Sequence, residues 1–305
     1  MIDNRIYKNP FFVAAMAALC CALWGSATPF IKIGYKLMLP VNNPQSAILF
    51  AGTRFFLAGI ITVCFYSIVK RRFMYPKAQN ITKVVKISCF QTILQYIFFY
   101  IGLSNTTGVK GTILSGSNAF FALLIASLIF KQEKLTIKKI SGCIIGFVGI
   151  VLVNLNGLDL NMNFTGDGFV LISTIAYAVS STLTGRYSKH EDPVVLSGYQ
   201  FVLGGLVMII IGIIFGGKIQ ILDMKSVLVF LYLACLSAVA YGVWSILLKH
   251  NRVSKVTVYS FLIPVFGVVL SNIMLTEKSN VHPVNLLAAL LLICTGIFIL
   301  NKNKE

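Results

Sequence analysis

Long apolar runs alternate along this chain with short segments in which the polar and charged residues are concentrated. Each run has about 17 to 27 residues, and a helix of that length crosses a hydrocarbon core of about 30 Å at 1.5 Å per residue. The pattern therefore predicts an all-α integral membrane protein with ten transmembrane helices. The predicted spans are 11–37, 46–69, 84–104, 112–130, 137–155, 168–187, 194–216, 227–248, 256–276 and 284–300.

The stretch 109–154 recurs in the second half of the chain. In each copy an apolar run ends at a Glu-Lys pair, and a polar step and a second apolar run follow. Glu133 and Glu277 lie 144 positions apart, and Gly149 and Gly296 lie 147 apart, so the second copy has three additional residues in between. We divide the chain into two five-helix repeats, residues 1–158 and 159–305. Because five is an odd number, the second repeat is predicted to be inverted, as in many secondary transporters that bind substrate near the bilayer midplane.

The composition excludes an ordinary soluble domain, since 57% of the residues are hydrophobic, only 11% are charged, and the mean hydropathy is +0.85. The net charge of +17 comes from basic residues between the apolar runs, where they set orientation rather than bind nucleic acid. With a cytoplasmic N-terminus, 19 of the 26 basic residues fall on the cytoplasmic side and six on the other. This predicts a multi-pass protein of a bacterial-type cytoplasmic membrane with both termini in the cytoplasm.

The sequence lacks the residue patterns that metal binding and the binding of lipophilic cations usually require. The seven cysteines lie inside apolar runs, without metal-ligand spacing to a histidine, so neither a metal nor another cofactor is predicted. None of the nine acidic residues falls in the middle of a predicted span. Carriers of lipophilic cations usually need such a carboxylate, so export of cationic drugs is disfavoured. The predicted partners are the lipid bilayer and a small-molecule substrate, without nucleic acid, and the predicted oligomeric state is a monomer or a weak homodimer.

Short motifs in both halves carry a family resemblance. They are Trp24-Gly25-Ser26 with Lys32, Arg54-Phe55-Phe56, Glu133-Lys134-Leu135 before Gly142 and Gly149, Gly166-Asp167-Gly168, Pro264-Val265-Phe266, and Glu277 before Gly296. Through these motifs nearly the whole chain resembles the EamA type of the drug/metabolite transporter superfamily. The resemblance implies ten helices around a central cavity, peripheral fifth and tenth helices, and export of small metabolites such as amino acids. Ala289, where the second unit often has glycine, departs from the pattern.

Two basic residues lie inside apolar runs. A charge at a span centre costs about 2.5–3.5 kcal/mol on insertion scales, so Lys32 and Arg54 are expected to face a wet cavity or a partner. They are candidates to attract a carboxylate or phosphate of the substrate. The alternative is that Lys32 extends outward to the interface and that Arg54 clamps backbone carbonyls. Trp24 and Thr28 precede Lys32 at intervals of four residues, which places all three on one helix face beside Pro29.

Polar side chains also form stripes on otherwise apolar helices. The further candidates for substrate binding are Gln91, Gln95, Ser115, Asn118, Tyr177, Ser180, Tyr241 and Trp244. A central cavity lined by these side chains explains several polar faces at once. Helix-to-helix contact explains each face separately, because small and hydroxyl residues often join membrane helices.

Four further residues are candidates for moving parts. Pro29 and Pro264 interrupt helical hydrogen bonding and are candidate hinges for alternating access, or static kinks. Glu133 and Glu277 at span ends are candidate gates, or interfacial caps.

The sequence as a whole predicts a secondary transporter that exports amino acids or related small zwitterionic or anionic metabolites by alternating access. One alternative is a multidrug or other metabolite permease of the same superfamily. A polytopic membrane enzyme or sensor is the other, and an enzyme would need a nucleophile with its base, an acid pair or a metal cluster near one interface. The sequence shows no such group of residues, so the chain is predicted not to be an enzyme.

Overall fold

A computed structural model describes residues 5–40, 43–154, 161–274 and 283–302, and these ranges are helical, without strands. The helices are α1 Pro10–Met38, α2 Pro44–Val69, α3 Ala78–Ser104, α4 Gly108–Ile129, α5 Ile137–Val153, α6 Phe164–Tyr187, α7 Pro193–Ile214, α8 Met224–His250, α9 with its consecutive segments Val253–Thr257, Val258–Phe261 and Leu262–Met274, and α10 Pro283–Asn301. The predicted all-α class is confirmed.

Nine helices in the described ranges are long and apolar enough to cross a membrane. The helix outside this set is α5, which has 17 residues and a length of about 26 Å. It occupies most of the predicted span 137–155, whose last residue lies outside the described ranges. The length and composition of these helices indicate a multi-pass membrane protein.

Local chemistry sets where many of the helices begin. A side-chain oxygen accepts hydrogen bonds from first-turn amides at the start of α1, α2, α5, α7 and α8, and proline opens α1, α2 and α7. The capping residues are Asn9, Asn43, Thr136, Asp192 and Asp223. Both devices satisfy or remove amides that have no partner inside the helix.

Four helices in the described ranges are irregular. Wider π-helical turns occupy Cys89–Leu94 in α3, Ile125–Ile129 in α4 and Phe164–Gly168 at the start of α6. In α9 a tighter 3₁₀ turn, Val258–Phe261, precedes Pro264, which lacks the amide that an α-helical bond to the preceding turn requires. By contrast, α1 runs through Pro29 without a break. The hinge roles of the two prolines stay predictions.

Glycines bring two antiparallel helix pairs into close contact. A Cβ atom on Gly205 of α7 would lie 2.4 Å from the amide nitrogen of Phe56 in α2. Between α5 and α10, a Cβ on Gly296 would lie 2.5 Å from the carbonyl oxygen of Gly142. Small residues of this kind let membrane helices approach until their main chains touch.

Replacing Gly205 with alanine is expected to destabilise the fold by about 1–3 kcal/mol, because the added methyl group overpacks a backbone contact. Thermal unfolding of the purified protein in detergent measures the loss. Gly242→Ala in α8 is the matched control, since a Cβ there would meet no atom within 4 Å. Equal melting temperatures for the two variants would contradict the close contact.

The same helix contacts are found in both halves of the chain. If each helix in a contacting pair is replaced by the helix five places away in the sequence, the resulting pair is also in contact. The pairs α2–α7 and α5–α10 each map onto themselves, and both are extensive. The pair α1–α8 corresponds to α3–α6, α1–α9 to α4–α6, and α2–α8 to α3–α7, and all of these pairs are in contact. The first and second halves of the chain therefore pack in matching ways.

Contacts also assign the loops to two ends of the molecule. The side-chain amide of Asn251 donates to the carbonyl oxygen of Tyr7 at 2.8 Å, and Gly142 at the start of α5 packs against Leu300 near the end of α10. Both ends of the described chain thus lie at one end of the bundle, which we call the terminal face. At the opposite face, the amide of Gln220 donates to the carbonyl oxygen of Met38 at 2.9 Å.

Candidate functional site

Aromatic side chains from both halves meet in the interior. We call this group the aromatic cluster; it consists of Trp24, Phe55, Tyr96, Tyr100, Tyr177, Phe201, Tyr241 and Trp244. These residues come from α1, α2, α3, α6, α7 and α8. Four of them were among the residues predicted from the sequence: Trp24, Tyr177, Tyr241 and Trp244.

Ring contacts hold the aromatic cluster together. The ring centroid of Trp24 lies 4.9 Å from that of Trp244 and 5.0 Å from that of Tyr241. The hydroxyl oxygens of Tyr241 and Tyr96 are 2.9 Å apart, so a hydrogen bond joins α8 to α3. Phe201 lies edge-on to Tyr241 with a centroid distance of 4.8 Å. Edge-to-face rings at these separations attract one another beyond their apolar burial.

Arg54 lies at the margin of this cluster and is only 3% exposed. Its guanidinium carbon lies 4.4 Å from the centroid of the Phe55 ring and interacts electrostatically with the hydroxyls of Tyr35, Tyr96 and Tyr241. Within the described ranges, no carboxylate pairs with Arg54 and no backbone carbonyl accepts a hydrogen bond from it. The structure thus has a buried cation without a compensating anion.

Further buried polar atoms in this region have no hydrogen-bond partner in the described protein. They include the indole nitrogens of Trp24 and Trp244 and the hydroxyl of Tyr35, and the buried Nε atom of Arg54 is in the same condition. Buried polar groups are normally hydrogen-bonded, so each exception calls for an explanation. All four groups can donate a hydrogen bond, and three of them can only donate, which suits a ligand that carries acceptor oxygens.

The structure does not bring every predicted residue to the cluster. Thr28 and Lys32 are exposed on α1, towards the opposite face. Ser180 is buried, and its hydroxyl donates to the carbonyl oxygen of Tyr177 at 2.8 Å. No ring contact or hydrogen bond among the described residues joins the aromatic cluster to the remaining four, Gln91, Gln95, Ser115 and Asn118. Gln91 and Asn118 are buried, and Gln95 and Ser115 are half-buried.

Glu133, a candidate gate, is buried at the terminal face between α4 and α5. Its carboxylate accepts from the amide of Ser254 at 3.0 Å, from the Ser254 hydroxyl, and from the ammonium group of Lys139 at 2.9 Å. Lys139 is fully buried and also donates to the carbonyl oxygen of Lys134 at 2.7 Å. This Glu133 network joins the first half of the chain to the first turn of α9. Glu277 lies outside the described residues.

A second buried network lies at the opposite face. The carboxylate of Asp167, at the start of α6, accepts from the Thr106 hydroxyl, from the Asn163 amide at 2.8 Å and from the Lys110 ammonium group at 3.2 Å. Asp167 is completely buried. This Asp167 network also joins the two halves, because Thr106 and Lys110 belong to the first half.

Sequence reasoning missed part of this geometry. Tyr96 and Tyr100 are four residues apart on α3, a spacing that could have identified them as a common face. Tyr35 and Phe201 carry no such local signal. Lys139 belongs, in the sequence, to a run of interfacial basic residues, and only the tertiary structure shows that it is buried.

The bundle of long apolar helices is typical of a multi-pass membrane protein. A model of the EamA-like transporter family matches residues 11–155 and again residues 164–302. The chain therefore belongs to the EamA-like transporter family, which confirms the resemblance seen in the sequence and fits the prediction that it is not an enzyme.

Individual relatives are distant. The chain is 26% identical over 293 residues to an Arabidopsis thaliana protein named "WAT1-related protein, chloroplastic", and this match covers 90% of the chain and 64% of that protein. It is 25% identical over 299 residues to an Escherichia coli protein named "Probable amino-acid metabolite efflux pump", covering 93% of each. A crystal structure with 14% identity superposes with a TM-score of 0.76 over 95% of this chain and 96% of its own, which shows the same fold.

Proposed function

We propose that this protein is a secondary transporter that exports amino acids or related small zwitterionic or anionic metabolites across a bacterial-type cytoplasmic membrane by alternating access. The observation that carries the proposal is Arg54, a buried cation with no acidic partner among the described residues, beside an aromatic cluster to which both halves contribute.

Electrostatics select the class of substrate. An isolated charge in a low-dielectric interior is costly, and a carboxylate or phosphate that approaches Arg54 removes that cost. Arginine binds such groups through two parallel hydrogen bonds, and the indole N–H groups of Trp24 and Trp244 add further donors. A lipophilic cation would instead be repelled by Arg54.

The aromatic cluster also explains how a zwitterion could be held. An ammonium group is attracted to the face of an indole or phenol ring, and this attraction strengthens where water is excluded. Trp24, Tyr177 and Tyr241 provide such rings. A substrate with its carboxylate at Arg54 and its ammonium group on these rings would use both features.

Antiparallel counterparts support the inverted repeat. The family model matches twice, so α2 corresponds to α7 and α5 to α10. In each pair the chains run in opposite directions. Gly59 lies against Gly198 and Gly212 against Leu49 in the first pair, and Gly142 lies against Gly296 and Gly149 against Ala289 in the second. A twofold axis in the membrane plane produces this relation. We therefore propose ten membrane helices, with α5 included, in two inverted repeats divided at residues 158 and 159.

The two buried networks provide gates on opposite faces. Opening the terminal face would break the bonds of Glu133 to Ser254, and opening the opposite face would break those of Asp167 to Thr106 and Lys110. Pro29 and Pro264 are the proposed hinges. We propose that the terminal face lies in the cytoplasm, because loops at that end hold most of the 26 basic residues.

Counterflow into liposomes that contain the purified protein tests the substrate class. We expect uptake of a labelled amino acid or small organic anion, and no uptake of a lipophilic cation. Rates with and without a pH gradient should be similar, because no described span carries a carboxylate near its middle. Liposomes that accumulate only lipophilic cations would refute the proposed substrate class. Strong accumulation of substrate driven by the pH gradient would refute the expectation that transport is not coupled to protons.

A further inference from the structure

A cleft at the terminal face lies outside the aromatic cluster and borders the Glu133 network. It has a volume of about 860 Å³ and lies between the α4–α5 connection of the first half and Arg252 of the second. A smaller cleft of about 260 Å³ adjoins it, shares Gln132, Glu133 and Arg252, and adds Lys189 and Lys249. We call the two together the basic cleft.

The basic cleft is electropositive. Lys131, Lys134 and Arg252 line its larger part, where Glu133 is the acidic residue. Both carboxylate oxygens of Glu133 already accept hydrogen bonds, and the Lys139 ammonium group compensates its charge. Among the described lining residues, an anion that enters the cleft therefore meets several cations, and the one carboxylate is already hydrogen-bonded.

Apolar side chains border the same cleft. Leu128 lines it and is 59% exposed, and its neighbour Ile129 is 68% exposed. Leu135 also lines the cleft, and Ile137, two residues further along the chain at the start of α5, is 86% exposed. In a protein that spans a membrane, exposed side chains of this kind at a helix end contact lipid acyl chains. The cleft thus opens towards the lipid while its polar wall carries positive charge.

The backbone of Lys131 allows a clean substitution. Its φ angle is +50°, in the left-handed region. The amide of Gln132 donates to the carbonyl oxygen of Ala126, six residues earlier, at 2.8 Å, where the π-helical turn ends α4. Glycine adopts a left-handed φ without steric cost, so a glycine at position 131 is expected to keep this backbone.

We propose that the basic cleft binds the phosphate headgroup of an anionic phospholipid from the cytoplasmic leaflet. Lys131, Lys134 and Arg252 hold the phosphate, and an acyl chain lies along Leu128, Ile129 and Ile137. Since the headgroup contacts residues of both halves, the bound lipid stabilises the closed terminal face. The proposal depends on the orientation of the chain in the membrane and is independent of what the protein transports.

The test is the binding of phosphatidylglycerol to the purified full-length protein, measured by native mass spectrometry in detergent. Replacing Lys131 with glycine removes one cation and suits the left-handed backbone, so the melting temperature should not fall. The affinity for phosphatidylglycerol should fall about fivefold, as expected for one basic side chain at an anionic lipid. The variant with all three cations replaced, K131G/K134Q/R252Q, should lose about 100-fold.

Arg71→Gly is a closely matched control. Arg71 also has a left-handed backbone, with φ +52°, at the end of α2 on the same face, but it does not line the cleft. Its replacement should leave phosphatidylglycerol binding unchanged. An equal loss in Arg71→Gly and Lys131→Gly would show a diffuse attraction to the whole basic face and would overturn the site.

Two further measurements separate a lipid from a soluble phosphate. Leu128→Gln should weaken binding of phosphatidylglycerol, because it removes apolar contact with the acyl chain. Inorganic phosphate should bind far more weakly than phosphatidylglycerol and should be unaffected by Leu128→Gln. If inorganic phosphate binds as tightly as the lipid and Leu128→Gln has no effect, the ligand is a soluble phosphate and the lipid proposal is wrong.

Discussion

Replacing Arg54 with glutamine is expected to lower transport of carboxylate-bearing substrates by about 100-fold without destabilising the protein. A buried charge pair that loses one partner typically costs 2–5 kcal/mol, and about 3 kcal/mol corresponds to this factor. In the substrate-free protein the substitution should not cost stability, since it removes a buried cation that no described anion compensates. The melting temperature should therefore stay constant or rise.

Counterflow in liposomes, normalised to folded protein, measures this loss. Arg54→Lys keeps the charge but loses the two-pronged geometry, so an intermediate rate is expected. Lys36→Gln removes an exposed cation from α1 and should have little effect. If Arg54→Gln lowers the melting temperature while the transport rate per folded molecule is retained, Arg54 is a structural clamp.

Replacing Glu133 with alanine is expected to cause the largest loss of stability, about 3–5 kcal/mol. The variant leaves the ammonium group of Lys139 fully buried without its carboxylate, and the amide and hydroxyl of Ser254 lose their acceptor. Breaking a buried ion pair from one side has this cost because the remaining charge is uncompensated. Thermal unfolding in detergent measures the change.

A partly exposed ion pair, Glu191 with Lys83, provides the comparison for the buried pair of Glu133 and Lys139. Glu191 pairs with Lys83 at 3.0 Å, but their side chains are 18% and 30% exposed, so Glu191→Ala should cost no more than about 1 kcal/mol. Adding Lys139→Met to Glu133→Ala should recover much of the lost stability, because it removes the uncompensated charge. Equal stabilities of Glu133→Ala and Glu191→Ala would show that the Glu133 network does not hold the two halves together.

Hydropathy located the helices well because membrane spans differ from loops in composition. The first predicted span begins at residue 11 and α1 at Pro10; the seventh begins at 194 and α7 at Pro193. The third was predicted to begin at 84, whereas α3 begins at Ala78. The first turns of α3 carry Lys83 and Lys86. Their charge lowers the local hydropathy, so hydropathy alone predicts a start that is too late.

The site was less predictable, because these helices are apolar around most of their circumference. Sequence periodicity then gives little indication of which face meets the centre. The spacing of Trp24, Thr28 and Lys32 correctly predicts a common helix face, but only Trp24 belongs to the aromatic cluster. Tyr35 of the same helix interacts with Arg54 electrostatically. Such choices depend on neighbouring helices from the other half of the chain.

The glycine contacts between α2 and α7 constrain how the molecule can change shape. Where Gly52 and Gly59 meet Gly198 and Gly205, main chain lies against main chain, and there are few side chains whose rotamers could absorb a displacement. The helices α2 and α7 should therefore move together as one rigid unit. Bending would then be concentrated in helices with irregular hydrogen bonding: α3, α4 and α6 with their π turns, and α9 with its 3₁₀ turn.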